Sequence, residues 1–305
     1  MLASEAKGRG FDPRSAYHLL FCSLLIFFAP SRSDGADLYV KSAAEVSAAF
    51  DLVSYHPDDP SVPPLFCAYM PEDMAELSDR ERVSLFLRTL LPLILRENER
   101  IEQEARRLDE AATRSFAVAG DAALVYDLAL KYRLMEEGSG PLNGKEIVTV
   151  ADALRTRIRP VAPSIVLTIA ALESGWGTSR FTREANNLFG HTALLAWRGI
   201  QPAKWRGTSR NIKRFETIAD ALRRFMLNLN SNRAYARYRK YRDLAPTDTF
   251  QQAKGFTAYA SIGKEYVVRM QQIMKRFGFA RYDGHRLADE TRLWGLDRLR
   301  TPYLY

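Results

Sequence analysis

The chain has 305 residues, of which 47% are hydrophobic and 26% are charged, an ordinary balance for a soluble globular protein with a sizeable core. Its two cysteines cannot support a disulfide framework, and its four histidines form no cluster at metal-ligand spacing, so we expect neither a metal nor another cofactor. The formal net charge of +8 is less ordinary and indicates anionic partners.

The N-terminus has the pattern of an export signal. Lys7, Arg9 and Arg14 precede an apolar run at 16–29, which is short for a membrane span of about twenty residues. We therefore expect residues 1–33 to be a signal peptide and the protein to be exported to the periplasm or cell envelope. An uncleaved segment that anchors the protein to the inner membrane is the alternative.

The segment 34–145 predicts an N-terminal helical region. Ser42 and Ser78 each stand three residues before a glutamate, the spacing of a capping box at the start of a helix. Pro92 is expected to kink or split the second of these helices. The segment SGPLNGKE at 139–146 has the composition of a linker, and we place the domain boundary there.

A short, almost wholly apolar segment at 163–173 predicts a buried helix that begins at Pro163. Val166, Ile169 and Glu173 share one helical face, so the carboxylate ends an apolar stripe. Desolvation and the negative end of the helix dipole both disfavour an ionised carboxylate there, so we expect the pKa of Glu173 to be raised. A carboxylic acid that keeps its proton near neutral pH can protonate a leaving group, whereas a structural glutamate would only pair with an arginine.

The segment around this acid, ESGWGTSR at 173–180 followed by NNLFG at 186–190, resembles the signature of the bacterial β-N-acetylglucosaminidases of glycoside hydrolase family 73, in particular the Bax-like and FlgJ-like proteins. The resemblance extends more loosely to about Tyr282, which gives a glucosaminidase domain at 146–282. It implies a lysozyme-like α+β domain in which Glu173 is the general acid that cleaves peptidoglycan glycan strands.

After the signature the pattern of the chain changes. Residues 191–216 are rich in β-favouring and turn residues and predict a small hairpin lobe. Amphipathic helices follow, one capped by Thr217 and another over 264–277. Residues 283–305 are interpreted as a charged C-terminal tail. The fold class is therefore mainly α (α+β): a lysozyme-like helical domain with a small β-hairpin lobe, preceded by an N-terminal helical region.

Glycoside hydrolysis usually requires a second group across the scissile bond from the acid, commonly another carboxylate. No Asp or Glu occurs between Trp197 and Phe215, and Glu216 is the nearest candidate beyond them. An exposed acid that merely precedes a capped helix is the alternative for Glu216. A substrate-assisted route, in which the N-acetyl group of the sugar attacks its own anomeric carbon, needs no such residue.

Several further residues are candidates for substrate binding. The resemblance implies that Tyr259, in a Tyr-Ala motif, lines the cleft beside the acid. The amides of Asn186 and Asn187 suit sugar hydroxyls or acetamides, and Trp197 offers a face on which a sugar can stack. Trp176 can hold the acid in an apolar pocket. Ordinary packing in the core is the alternative for the aromatic side chains.

Positive charge is concentrated at 198–242, where thirteen Lys and Arg residues and two acids leave a local excess of eleven charges. Such a block favours a polyanion. Because an exported chain meets the cell wall and anionic phospholipids first, we expect peptidoglycan glycan strands as the partner, an anionic membrane surface as a second partner, and no nucleic acid. A solvated face without a partner is the alternative.

These features together predict an endo-β-N-acetylglucosaminidase that cleaves the β-1,4 bond after N-acetylglucosamine in peptidoglycan. A non-catalytic peptidoglycan-binding or scaffold protein on the same fold is the alternative from another class. A lytic transglycosylase is a close variant, since it too can act with one acid.

Overall fold

A computed structural model of the chain describes residues 26–27, 35–193, 199–200, 211–259 and 262–289. Within those ranges the protein is mainly α-helical with three small sheets, so the predicted fold class is confirmed. Three predicted features lie outside the described residues. They are Trp197, the tail from residue 290, and the predicted signal peptide, of which only residues 26–27 are described. No helix in the described part of the chain has the length and apolar character that crossing a membrane requires.

The described helices, in chain order, are α1 (Ala43–Leu52), α2 (Asp79–Thr113), α3 (Ala119–Lys131), α4 (Gly144–Arg157), α5 (Pro163–Ser174), α6 (Arg180–Ala185), α7 (Ile218–Ser231), α8 (Ala236–Leu244), α9 (Thr249–Ala253) and α10 (Lys264–Phe277). The strands are β1 (Ile26–Phe27), β2 (Ala36–Leu38), β3 (Ser61–Val62), β4 (Leu65–Cys67), β5 (Thr192–Ala193), β6 (Gly199–Ile200), β7 (Asn211–Lys213) and β8 (Arg286–Leu287).

The capping boxes at Ser42 and Ser78 begin α1 and α2, as predicted. Helix α2 is 35 residues long and continues past Pro92, so the helix is not split there. Proline removes a backbone hydrogen bond from a helix interior. Every residue from 85 to 95 is buried, and this packing compensates for the lost bond.

Helix α4 was not predicted, and it begins inside the segment interpreted as a linker. Asn143 accepts hydrogen bonds from the N–H groups of Lys145 and Glu146, and the Glu146 carboxylate accepts one from the Asn143 N–H. This capping box is a local sequence signal for a helix start. The buried residues of the N-terminal region and of the later helices form one continuous core.

Helix α5 lies at the centre of this core. Its residues 163–171 are all buried, and α2 and α10 pack against it. Asp283 closes its N-terminus, because the carboxylate accepts hydrogen bonds from the Ser164 N–H and Oγ, both at 2.8 Å. Gly175 ends α5 in the left-handed conformation, with φ of 57°.

The first part of the predicted tail is packed against the rest of the chain. Asp283 belongs to a 3₁₀ turn over Phe279–Gly284, and β8 pairs in parallel with β3 from the N-terminal region. A division of the chain at residue 283 would therefore pass through this turn.

The small β lobe is an antiparallel sheet in the order β5–β7–β6. Ile212 is the centre of its register, opposite Thr192 on one side and Ile200 on the other. This agrees with the sequence pattern of 191–216.

Candidate active site

Glu173 lies in the last turn of α5, where α10 passes beside it. The Tyr266 hydroxyl, from the first turn of α10, donates a hydrogen bond of 2.8 Å to Glu173 Oε1. Tyr266 itself is buried, whereas the Glu173 side chain is exposed. The contact between α5 and α10 therefore holds the Glu173 carboxyl group where a substrate can reach it.

The pKa of Glu173 is raised above its ordinary value of 4.5, mainly because the surrounding protein excludes solvent, while the hydrogen bond from Tyr266 opposes this shift. The predicted direction is confirmed. Exposure and desolvation are compatible here, because water can touch one side of a carboxyl group while protein fills most of the space around it. The group can therefore retain a proton at a higher pH than an ordinary glutamate.

Three tyrosines surround the acid. The Tyr259 ring lies 5.1 Å from that of Tyr266 and 6.0 Å from that of Tyr235, between ring centroids. Burial and then the charge of Glu173 raise the pKa of Tyr235 to about 12 and that of Tyr259 well above its ordinary value. All three phenols therefore stay protonated and can act as hydrogen-bond donors toward a substrate or the carboxylate.

Of these tyrosines, only Tyr259 was a predicted site residue. The structure brings it close to the acid, and its role in substrate binding stays a prediction. Tyr266 lies in the amphipathic helix predicted over 264–277, and no sequence pattern links it to a carboxylate 93 positions earlier. A phenol on an otherwise apolar helix face was the one available signal, since a buried hydroxyl requires a partner.

Trp176 lies in the loop at 175–179 between α5 and α6, the signature loop, and belongs to an aromatic cluster. Its ring lies 5.4 Å from Phe86, 4.6 Å from Phe277 and 6.1 Å from Phe279, edge to face in each case. The described contacts of Trp176 are with these phenylalanines, whereas tyrosines surround the carboxyl group. Its predicted role in holding the acid therefore stays a prediction that these contacts do not support.

Asn186 and Asn187, which follow α6, connect the second signature segment at 186–190 to β7 and to the residues after it. Asn186 Nδ2 donates to the carbonyl oxygens of Phe215 (3.1 Å) and Glu216 (2.8 Å). Asn187 is buried, and its side-chain amide makes four hydrogen bonds within the protein, two donated and two accepted. Because its donors and its acceptor are already bonded within the protein, the side-chain amide of Asn187 has a structural role. Sugar binding by Asn186 or Asn187 remains a prediction.

Glu216 lies at the end of the β lobe, directly before the Thr217 cap of α7. Its side chain is exposed, and its backbone carbonyl accepts the bond from Asn186. In the described ranges no contact joins Glu216 to Glu173, so its catalytic role stays a prediction. Trp197 lies outside the described residues.

Part of the basic block is internal to the fold. Arg239 and Arg242 are buried; Arg239 donates to the carbonyls of Leu229 (3.0 Å) and Asn232 (2.8 Å), and Arg242 donates to Asn230 Oδ1 (2.6 Å). These guanidinium groups stabilise helix ends and do not form a free cationic surface. The predicted contact with an anionic membrane is therefore not supported by them.

Comparison with known proteins shows what the chain is similar to. Residues 151–279 match the sequence profile of the family Glucosaminidase, described as mannosyl-glycoprotein endo-beta-N-acetylglucosaminidase. The chain is 28% identical to "Protein bax" of Escherichia coli (strain K12) over 207 residues, which cover 65% of this chain and 72% of that protein. No solved structure matches the chain, so its likeness to lysozyme stays a prediction.

The matched span contains the acid, the three tyrosines around it and both asparagines of the signature. The chain therefore contains a domain that matches the glucosaminidase family, which is of glycoside hydrolase type, and it is similar to "Protein bax" over 65% of its length.

Proposed function

We propose that the protein hydrolyses the β-1,4 glycosidic bond after N-acetylglucosamine in peptidoglycan, with Glu173 as general acid. The observation that carries this proposal is an accessible carboxyl group with a raised pKa, held by the hydroxyl of Tyr266 within the span that matches the family. A group that retains its proton more readily than an ordinary glutamate, and that is reachable and oriented, meets the requirements of a proton donor to a leaving oxygen.

In this mechanism Glu173 gives its proton to the glycosidic oxygen as the bond to the anomeric carbon breaks. The Tyr266 hydroxyl then stabilises the carboxylate that forms, since it already donates to Oε1. No carboxylate in the described part of the chain contributes to the pKa shift of Glu173. This favours a substrate-assisted route, in which the N-acetyl group of the sugar meets the positive charge at the anomeric carbon, with Glu216 as the alternative.

The choice of peptidoglycan rests on the charge of the chain and on the expected export. The net charge of +8 suits a polymer that carries carboxylates, and an exported chain meets that polymer in the cell envelope. The family description names mannosyl-glycoproteins, whose cleaved bond also follows an N-acetylglucosamine, so a glycoprotein is the competing substrate.

The test measures release of new reducing ends from purified peptidoglycan by the wild-type protein, by Glu173→Gln and by a matched control, Glu265→Gln. Glu265 is an exposed glutamate in the first turn of α10 and pairs with Arg269, so its amide variant changes the charge equally without touching the site. We expect Glu173→Gln to lose at least about a hundredfold in rate and the control to keep wild-type activity. Full activity of Glu173→Gln would remove this residue from the mechanism.

Three other outcomes identify the alternatives. Anhydro-sugar ends, detected by mass spectrometry in place of reducing ends, would identify a lytic transglycosylase. The described residues place no second carboxylate beside Glu173, and such an enzyme can act with one acid. A wild-type protein that sediments with peptidoglycan and cleaves nothing would be a binding or scaffold protein. Cleavage of a high-mannose glycoprotein with no action on peptidoglycan would change the substrate but keep the role of Glu173.

A further inference from the structure

A cavity of about 600 Å³ lies between the start of α2 and the C-terminal half of α10. Four of its lining residues are apolar and only partly buried: Val83 from α2, Trp176 from the signature loop, and Ile273 and Phe277 from α10. Partly exposed aromatic and aliphatic side chains in a concave site are typical of surfaces that bind the apolar faces of a ligand.

The rim of this cavity is cationic. Arg80, Arg82 and Arg276 line it together with a single acid, Asp79. Asp79 pairs with Arg82 at 3.1 Å, and Arg82 also donates to backbone carbonyls, so both members of this pair have partners. Arg80 and Arg276 are exposed and form no ion pair within the described ranges, which leaves two positive charges uncompensated over an apolar floor.

The cavity is related to the acid through α10. Tyr266, Ile273 and Phe277 are separated by seven and four residues, so they share one helical face at about 100° per residue. At a rise of about 1.5 Å per residue, the two cavity residues lie roughly 10 and 16 Å along the helix from Tyr266, which holds Glu173. The signature loop joins the two places, because Trp176 follows Glu173 by three residues. This separation is within the length of a polymer of a few sugar units.

We propose that this cavity is a second contact for peptidoglycan, distinct from the catalytic centre, which holds an uncleaved part of the polymer. A sugar ring packs on the apolar floor at Trp176 and Ile273, and the free carboxylates that peptidoglycan carries on its peptides bind Arg80 and Arg276. The identity of this ligand rests on the proposed function. A cationic rim over an aromatic floor recognises a ligand that is both anionic and amphipathic. The anionic groups of the ligand bind the rim, and its apolar face packs on the floor.

The test is sedimentation of the inactive Glu173→Gln protein with purified peptidoglycan, with and without the added charge reversal Arg80→Glu/Arg276→Glu. The matched control is Arg107→Glu/Lys275→Glu, which reverses two exposed charges on the same two helices outside the cavity. We expect the cavity variant to bind about tenfold more weakly than the control, which should bind as the parent protein does. Thermal unfolding checks that all three proteins are equally folded.

Equal binding by the cavity variant and the control would overturn the proposal, as would a parent protein that does not sediment at all. A cavity-dependent loss of binding to vesicles of phosphatidylglycerol, with peptidoglycan binding unchanged, would identify a membrane as the ligand and also overturn it. A fall in melting temperature confined to the cavity variant would assign the two arginines to the stability of the fold and would also overturn the proposal. If the wild-type protein cleaves nothing but the parent binds peptidoglycan through this cavity, the proposed activity fails and this inference stands.

Discussion

The hydrogen bond from Tyr266 to Glu173 opposes the effect of burial on the pKa of this carboxyl group. Because the hydroxyl donates to the carboxylate, it stabilises the ionised form and lowers a pKa that burial raises. We expect Tyr266→Phe to raise the pKa of Glu173 further. If Glu173 acts as a proton donor, the alkaline limb of the profile of kcat/KM against pH then moves to higher pH.

Measurement of this profile on soluble glycan fragments checks the expectation. Tyr126→Phe is the control, since the Tyr126 hydroxyl donates to the Ser139 carbonyl in the N-terminal region, and its loss should leave the limb in place. A limb that moves to lower pH in Tyr266→Phe would contradict the described hydrogen bond.

The same acid affects stability. Since the folded pKa of Glu173 lies above 4.5, the folded protein loses stability as pH rises through that pKa, because the ionised carboxylate is less favourable in the fold than in the unfolded chain. Glu173→Gln removes this charge. We therefore expect the variant to have a higher free energy of unfolding than the wild type at neutral pH, with a gap that closes as pH falls toward 4.5. Urea unfolding across this pH range measures the gap, and a gap independent of pH would contradict the raised pKa.

At the scale of elements, the turn after α5 depends on glycine. Gly177 has φ of +83°, and a Cβ there would come within 2.8 Å of Met70 Cγ. We expect Gly177→Ala to lower the free energy of unfolding by about 1–3 kcal/mol, because both the backbone conformation and the contact with Met70 become strained. The measurement is urea unfolding at neutral pH.

Gly144→Ala is the comparison for this turn. Gly144 begins α4 and a Cβ there meets nothing within 4 Å, so alanine should leave stability unchanged or increase it by up to about 1 kcal/mol. Equal effects of the two substitutions would show that the contact between Gly177 and Met70 is not tight.

Local signals explain which elements could be predicted from the sequence. The end of α10 follows from Gly278, and the start of α7 follows from the capping box of Thr217 and Asp220. Both signals act within one helical turn. Pro92 shows the limit of such signals, since burial of the surrounding turns overrides the helix-breaking tendency of proline. The acid could be predicted because its turn carries a family signature, whereas its partner Tyr266 depends on packing between distant helices.

At the scale of the whole molecule, the N-terminal region is part of the structure that holds the signature loop. Phe86 of α2 packs on Trp176, and Met70 contacts Gly177. We therefore expect the full chain to unfold in one cooperative transition, and a fragment of residues 146–289 to lack cooperative unfolding, because its aromatic cluster would be exposed. Calorimetry of both proteins tests this. A fragment with the melting temperature of the full chain would show that the predicted boundary at 146 separates independent domains.

The joint core was outside the reach of sequence reasoning. Two sequence features favour separate regions: the linker composition at 139–146 and the resemblance that starts near Glu173. The contacts that unite the regions join residues about 90 to 110 positions apart, as for Phe86 with Trp176 and Met70 with Gly177.

The hydrogen bonds from Ser164 to Asp283 have a practical consequence for recombinant work. The family match ends at residue 279, and a protein shortened there would lose Asp283 together with β8. The N–H and Oγ of Ser164, in the first turn of α5, would then lack their acceptor. This turn lies at the opposite end of α5 from Glu173. A shortened enzyme should therefore retain the chain at least through residue 289, so that any loss of activity can be attributed to the site itself.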